Sequence, residues 1–223
     1  MTRYYLALLA HSQRYLPAVL AYLAVNVILY SDPKSPLIPQ YGVSAGALLV
    51  VSCWLTIATL DIEDPVQRLI TFSHARRLRA VLGGVVLAVL GCALVLACAS
   101  VAWSIVKSGH GPVPTVGLGL AAHLICATFG IAIGLPCSRL LVPRVGWTVL
   151  AAVLVLAAVL LLKWLPLANP LLRAMTNDRP LTGPLVLAVV MAAVVGGARL
   201  FSPGAMGGAR GRPPRRPPVR ASV

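Results

Sequence analysis

The sequence has very few acidic residues, with five Asp and Glu among 223 residues, and only 11% of its residues are charged. An ordinary soluble domain is about 25% charged and about 45–50% apolar. Here 59% of the residues are hydrophobic, more than a water-soluble core of this size can hide. The composition therefore indicates an integral membrane protein. The net charge of +14 lies in short pieces between apolar runs, so it does not indicate a nucleic-acid partner.

Several chemical motifs are also missing. The five cysteines form no CxxC pair and no Cys/His cluster, so the sequence predicts neither a metal site nor a disulfide framework. No Gly-Lys dipeptide occurs, which excludes the phosphate-binding GxxxxGK[ST] loop. We therefore expect no catalytic residue and no cofactor bound by this chain. Any ATP that its function needs would be bound by another subunit.

Long apolar runs dominate the sequence. A helix of about 20 apolar residues crosses a hydrocarbon core of about 30 Å, and lipid offers no partner to an open strand edge. The sequence thus predicts an all-α, polytopic membrane protein whose domain over residues 16–200 has six transmembrane helices. The predicted spans are residues 16–30, 41–60, 80–106, 115–135, 147–165 and 184–200.

Residues 1–15 precede the first span and predict a helix that lies along the membrane interface. Tyr4, Leu8 and Tyr15 would form its apolar and aromatic side, while Arg14 would face water. Pro17 would mark the bend into the first span.

Basic residues predict the orientation of these spans. Fourteen of the 19 Lys and Arg residues lie on one side, in the N-terminus, the loops after the second and fourth spans, and the tail. The positive-inside rule places that side in the cytoplasm, with both termini. Residues 201–223 are rich in Pro and Arg and predict a disordered basic cytoplasmic tail. The excess of Arg over Lys is typical of a GC-rich genome, so we expect a bacterial plasma membrane.

Few polar residues fall within the predicted spans. Every Asp and Glu lies in a loop, and His123 is the titratable residue in the middle of the fourth span. His123 and Asn26 are candidates for a substrate path, the alternative for His123 being a neutral packed side chain. A secondary transporter driven by a pH gradient would make His123 essential. Gly130 and Gly134 form a GxxxG that permits close helix approach, which favours the fourth span as a contact helix.

The most charged segment, residues 61–79, joins the second and third spans. Asp64 is suited to an N-cap, Pro65 to the first helical position, and Gln67 completes a capping box. The segment therefore predicts a short amphipathic cytoplasmic helix at about residues 64–72. The alternative is that these residues are the solvated ends of two spans.

Glu63, Asp64 and Arg68 also match the EExxxR pattern of an intramembrane protease family. That family places its catalytic groups on separate buried helices, whereas here they would share one short surface helix. We therefore do not favour a protease.

The whole layout resembles the permease subunit of a type-2 ABC exporter. The likeness rests on the N-terminal helix, six spans with both ends inside, the run "EDPVQRLIT" and the outer loop "PLANPLLRAMTNDRPLTGP". It implies a homodimer or a sister permease, an amphiphilic substrate (a drug, lipid, peptide or glycan), and ATP-Mg on an ABC ATP-binding subunit. It also implies that a coupling helix docks on that subunit through Asp64, Pro65, Val66, Gln67, Arg68, Leu69 and Ile70. The alternative function is a non-transporting membrane protein, such as an immunity or assembly partner.

Overall fold

A computed structural model describes residues 2–32, 35–62, 78–108, 113–138 and 145–161. These residues form six α-helices and contain no β-strand. The helices are α1 (Thr2–Ser12), α2 (Leu16–Leu29), α3 (Leu37–Asp61), α4 (Leu78–Ser108), α5 (Val113–Cys137) and α6 (Val145–Leu161). The all-helical prediction is confirmed for this part of the chain.

Three of the helices are long and apolar enough to cross a membrane. They contain apolar stretches of 25 residues in α3, 27 in α4 and 24 in α5, and each exceeds the length of about 20 residues that a bilayer core requires. The helices α2 and α6 are apolar but shorter. The second, third and fourth predicted spans are thus confirmed as helices of spanning length. The predicted sixth span, residues 184–200, and the tail lie outside the described residues, so the count of six stays a prediction.

The start of α3 differs from the predicted one. The helix begins at Leu37, four residues before the predicted start at residue 41, and Pro36 precedes it in an extended conformation with ψ 131°. Pro39 lies in the first turn, where its missing N–H would have no intrahelical acceptor in any case. At this position the proline is therefore compatible with the helix.

Close contact between α3 and α5 organises the bundle, and no other described pair of helices packs so extensively. A methyl group built on Gly130 would overlap the carbonyl oxygen of Leu49, and one on Gly134 would lie 2.7 Å from Cβ of Thr56. One on Gly119 would lie 2.8 Å from the ring of Tyr41. The GxxxG prediction of a contact helix is therefore confirmed, because only glycine permits this backbone approach.

Residue pairs also give the helix directions. Contacts of Gly119 with Tyr41 and of Gly134 with Thr56 show that α3 and α5 run in the same direction. The hydroxyl of Tyr41, near the start of α3, lies 2.7 Å from Oγ of Ser104, near the end of α4. The helix α4 therefore runs opposite to α3. This alternation is what successive membrane crossings require.

The helix α1 is tied to the bundle rather than separate from it. It packs on α4, and it buries Tyr5 and Leu9, which are one turn apart and share a face. Tyr4 is 39% exposed and Leu8 is half-buried, so the predicted apolar side of Tyr4 and Leu8 differs from the side that packs on the bundle, and its contact with a membrane stays a prediction. The sequence has Tyr at residues 4 and 5 and Leu at residues 8 and 9. A spacing of one helical turn therefore fits the pair Tyr4 and Leu8 as well as the pair Tyr5 and Leu9. The position of α1 at a membrane interface stays a prediction.

Replacing Gly130 by Ala should destabilise the protein by about 1–3 kcal/mol, because the added methyl group meets backbone atoms that cannot move aside cheaply. Gly117→Ala on the same helix is the matched control, since nothing lies within 4 Å of its methyl position. Alanine there should raise stability by up to about 1 kcal/mol. Equilibrium unfolding in mixed micelles measures both. Equal stabilisation by both variants would contradict the close contact.

The orientation can be tested with alkaline phosphatase fusions in bacteria, because this enzyme needs the disulfide bonds that form outside the cytoplasm. A fusion after residue 111, in the predicted outer loop, should be active, and fusions after residues 75 and 223 should be inactive. Activity at the C-terminus would contradict an even number of spans.

Candidate functional site

A group of buried polar side chains joins α2, α3, α4 and α5. His123 is fully buried in α5. Its Nε2 atom lies 2.9 Å from Oγ of Ser44 in α3, and its Nδ1 atom lies 2.7 Å from the carbonyl oxygen of Gly119. Since a carbonyl only accepts, Nδ1 carries a proton. In the neutral imidazole, Nε2 then accepts the hydroxyl proton of Ser44.

The contacts continue from Ser44 to Asn26. The hydroxyl of Tyr30 lies 3.2 Å from Oγ of Ser44 and 3.5 Å from Oγ of Ser100. Ser100 donates to Oδ1 of Asn26 at 2.5 Å, and Asn26 donates from Nδ2 to the carbonyl oxygen of Tyr22 at 2.8 Å. His123 and Asn26, chosen separately from the sequence, therefore belong to one polar network.

Aromatic rings enclose the His123 end of this network. The ring of Tyr41 meets those of Tyr30 and His123 edge to face, with centroid distances of 6.4 and 6.2 Å. The hydroxyl of Tyr22 is buried beside Asn26 and Ser100, although it makes no hydrogen bond of good geometry within the described residues. The buried side chains of Tyr41 and Tyr22 thus cover the two ends of the network, Tyr41 at His123 and Tyr22 at Asn26.

Sequence reasoning found part of this network. Asn26 and Ser44 do join helices, but Thr56 and Thr128 donate within their own helices, to Ser52 and Ile125. Tyr30, Tyr41, Ser100 and Ser104 were missed. The available signal was their position inside or at the end of apolar runs, where a hydroxyl needs a partner.

The network has the properties of a structural crosslink. Asn26 is 3% exposed and His123 is 0% exposed, and its hydrogen bonds involve no carboxylate from the described part of the chain. Among the described residues, no group of His, Cys, Asp and Glu could hold a metal ion. The contacts account for a neutral, packed His123. A substrate path through His123 and Asn26 stays a prediction.

The predicted coupling residues Asp64, Pro65, Val66, Gln67, Arg68, Leu69 and Ile70 lie outside the described residues, as do Glu63 and the rest of residues 63–77. The structure does describe what flanks them. Arg14 donates from Nη1 to the carbonyl oxygen of Asp61 at 3.3 Å, at the end of α3. The helix α1 packs on α4, whose first residue is Leu78. The N-terminal part of the chain therefore contacts the helices on both sides of the charged segment.

Comparisons with known protein families, with curated proteins and with solved structures found no match for this chain.

A double-mutant cycle between Ser44→Ala and His123→Ala should show a favourable coupling of about 0.6 kcal/mol, and at most about 1.7 kcal/mol, because the bond joins two helices in an apolar interior. Unfolding free energies in mixed micelles give the coupling.

The control cycle pairs Thr128→Ala with His123→Ala. Thr128 is on the same helix but donates to the carbonyl oxygen of Ile125, so its coupling to His123 should be near zero. Equal coupling in both cycles would contradict a specific Ser44–His123 bond.

Proposed function

We propose that this protein is the transmembrane permease subunit of an ATP-driven exporter of the type-2 ABC class. The chain would pair with a second copy or a sister permease and with ABC ATP-binding subunits that bind ATP-Mg. An amphiphilic substrate would cross between the permease halves. The proposed location is the bacterial plasma membrane, with both termini in the cytoplasm.

The bracing of α3 and α4 on both sides of residues 63–77 carries the proposal. The contact of Arg14 with Asp61 and the packing of α1 on α4 link both helices to the N-terminal part of the chain. A force applied to the segment between them would therefore act on both helices together. If the two helices were only loosely attached, a force on the segment would bend their ends locally instead of moving the whole helices.

The contact between α3 and α5 extends this argument. Gly130 and Gly134 bring the backbones of α3 and α5 into close contact, and we expect such tightly packed helices to move as a unit. A displacement at the end of α3 would then reach His123 and the far end of the bundle. The described geometry thus supports a transmission role for the helix that leads into the charged segment.

The sequence of residues 64–71 supports the contact with a motor subunit. The capping residues would stiffen a short helix, and Val66, Leu69 and Ile70 would form an apolar stripe for a cleft. The charges of Asp64 and Arg68 would set the register of docking.

The proposal predicts that Leu69→Glu abolishes export and the binding of the ATP-binding subunit, because a charge would enter the apolar stripe. Thr71→Glu is the matched control, since residue 71 lies on the opposite side of the predicted helix, and it should retain both. The measurements are co-purification of ABC ATP-binding subunits with this chain in mild detergent, and efflux of amphiphilic substrates from cells.

Two results would contradict the proposal. In one, the intact chain never retains an ATP-binding subunit. In the other, both variants export as well as the native chain. Stable association with a different membrane or secreted protein, without ATP-dependent efflux, would instead favour an immunity or assembly partner.

A further inference from the structure

A groove of about 410 Å³ lies between α3 and α6. On α3 it extends from Val50 to Asp61, which corresponds to about 16 Å along the helix. Trp54 and Val153, from the two walls, are 44% and 57% exposed. The groove volume is at the lower end of the range of about 300–1,000 Å³ for small-molecule sites. It therefore suits one elongated apolar group rather than a peptide helix.

Charges lie at one end of this groove. Arg14 and Asp61 both line it, and Asp61 is the last residue of α3, so the charged end adjoins the helix terminus. The other lining residues are mostly apolar side chains of α3 and α6. An apolar slot with a cation and an anion at one end matches the chemistry of an amphiphile.

The charged groups retain capacity for a ligand. A guanidinium has five N–H donors in a planar fork, and Arg14 is exposed and donates to the carbonyl oxygen of Asp61 over 3.3 Å. A carboxylate has about four acceptor positions, so Asp61 can bind a ligand while keeping other partners. Because one charge of each sign is present, a head group with both charges fits better than a purely anionic one.

We propose that this groove binds a zwitterionic aminophospholipid. The phosphate would bind the guanidinium of Arg14, the ammonium would bind the carboxylate of Asp61, and one acyl chain would cover Trp54 and Val153. This binding holds whether or not the chain exports its ligand, so its test is separate from that of the permease proposal.

Quenching of Trp54 fluorescence by brominated lipid tests the site. The protein carries Phe at Trp103, Trp147 and Trp164 and is placed in nanodiscs of phosphatidylglycerol. Brominated phosphatidylethanolamine is then titrated against phosphatidylglycerol with the same brominated chains. The ethanolamine lipid should reach half-maximal quenching at a roughly tenfold lower mole fraction, as expected for charge-assisted hydrogen bonds. A protein that retains Trp103 alone, which is 40% exposed on α4, should show no such difference.

Two pairs of variants test separately how the groove binds the lipid head group and how it binds the acyl chain. Asp61→Asn should remove the preference, because its carboxylate binds the ammonium that phosphatidylglycerol lacks, whereas Asp32→Asn should keep it, because Asp32 does not line the groove. Val153→Trp adds a second tryptophan, whose fluorescence would overlap that of Trp54, so this variant is tested by lipid co-purification instead. It should reduce the amount of phosphatidylethanolamine that co-purifies, by roughly tenfold, whereas Val155→Trp outside the groove should not.

Three outcomes would overturn the proposal. Equal quenching of Trp54 by both lipids would show ordinary contact with the bilayer. A preference for brominated phosphatidylglycerol would show an anion site rather than a zwitterion site. If Asp61→Asn fails to fold, an unchanged amount of co-purified phosphatidylethanolamine in Val153→Trp would overturn it alone.

Discussion

The close approach of α3 and α5 is the constraint on which the rest of the bundle depends. With glycine at residues 130 and 134, the backbones of the two helices lie in contact over about one turn, near Leu49 and Cys53. That contact places Ser44 opposite His123 and Tyr41 opposite Gly119. The helices α2 and α4 then pack around the pair with their directions reversed. A lipid-embedded bundle gains little from the hydrophobic effect between helices, so packing of this kind has to hold it together.

The polar network adds hydrogen bonds between helices to the close packing that the glycines permit. Apolar side chains in lipid can slide or rotate with little change in energy, whereas a hydrogen bond between helices fixes one rotation. The Ser44–His123 and Ser100–Asn26 contacts tie α3 to α5 and α4 to α2. Tyr30, just after α2, reaches both serines. Together these contacts favour one arrangement of four helices whose surfaces are otherwise mostly apolar.

The presence of α3, α4 and α5 could be predicted from sequence because their apolar runs are long and nearly free of charge. The GxxxG also identified a true contact helix. Helix rotations could not be predicted, since a helix that is apolar on every side has no moment to show which face is inside. Sequence analysis found only part of the network around His123, because residues that are bonded in the network lie as much as 79 residues apart in sequence.

The contact between α3 and α5 also has a consequence for biosynthesis. Leu49 and Gly130 are separated by about 80 residues, which a ribosome translates in about 4–16 s at 5–20 residues per second. During that interval α3 has left the ribosome while its final partner has not been made. The hydroxyl of Ser44 then lacks its partner His123, and the surface of α3 that later contacts Gly130 and Gly134 is uncovered.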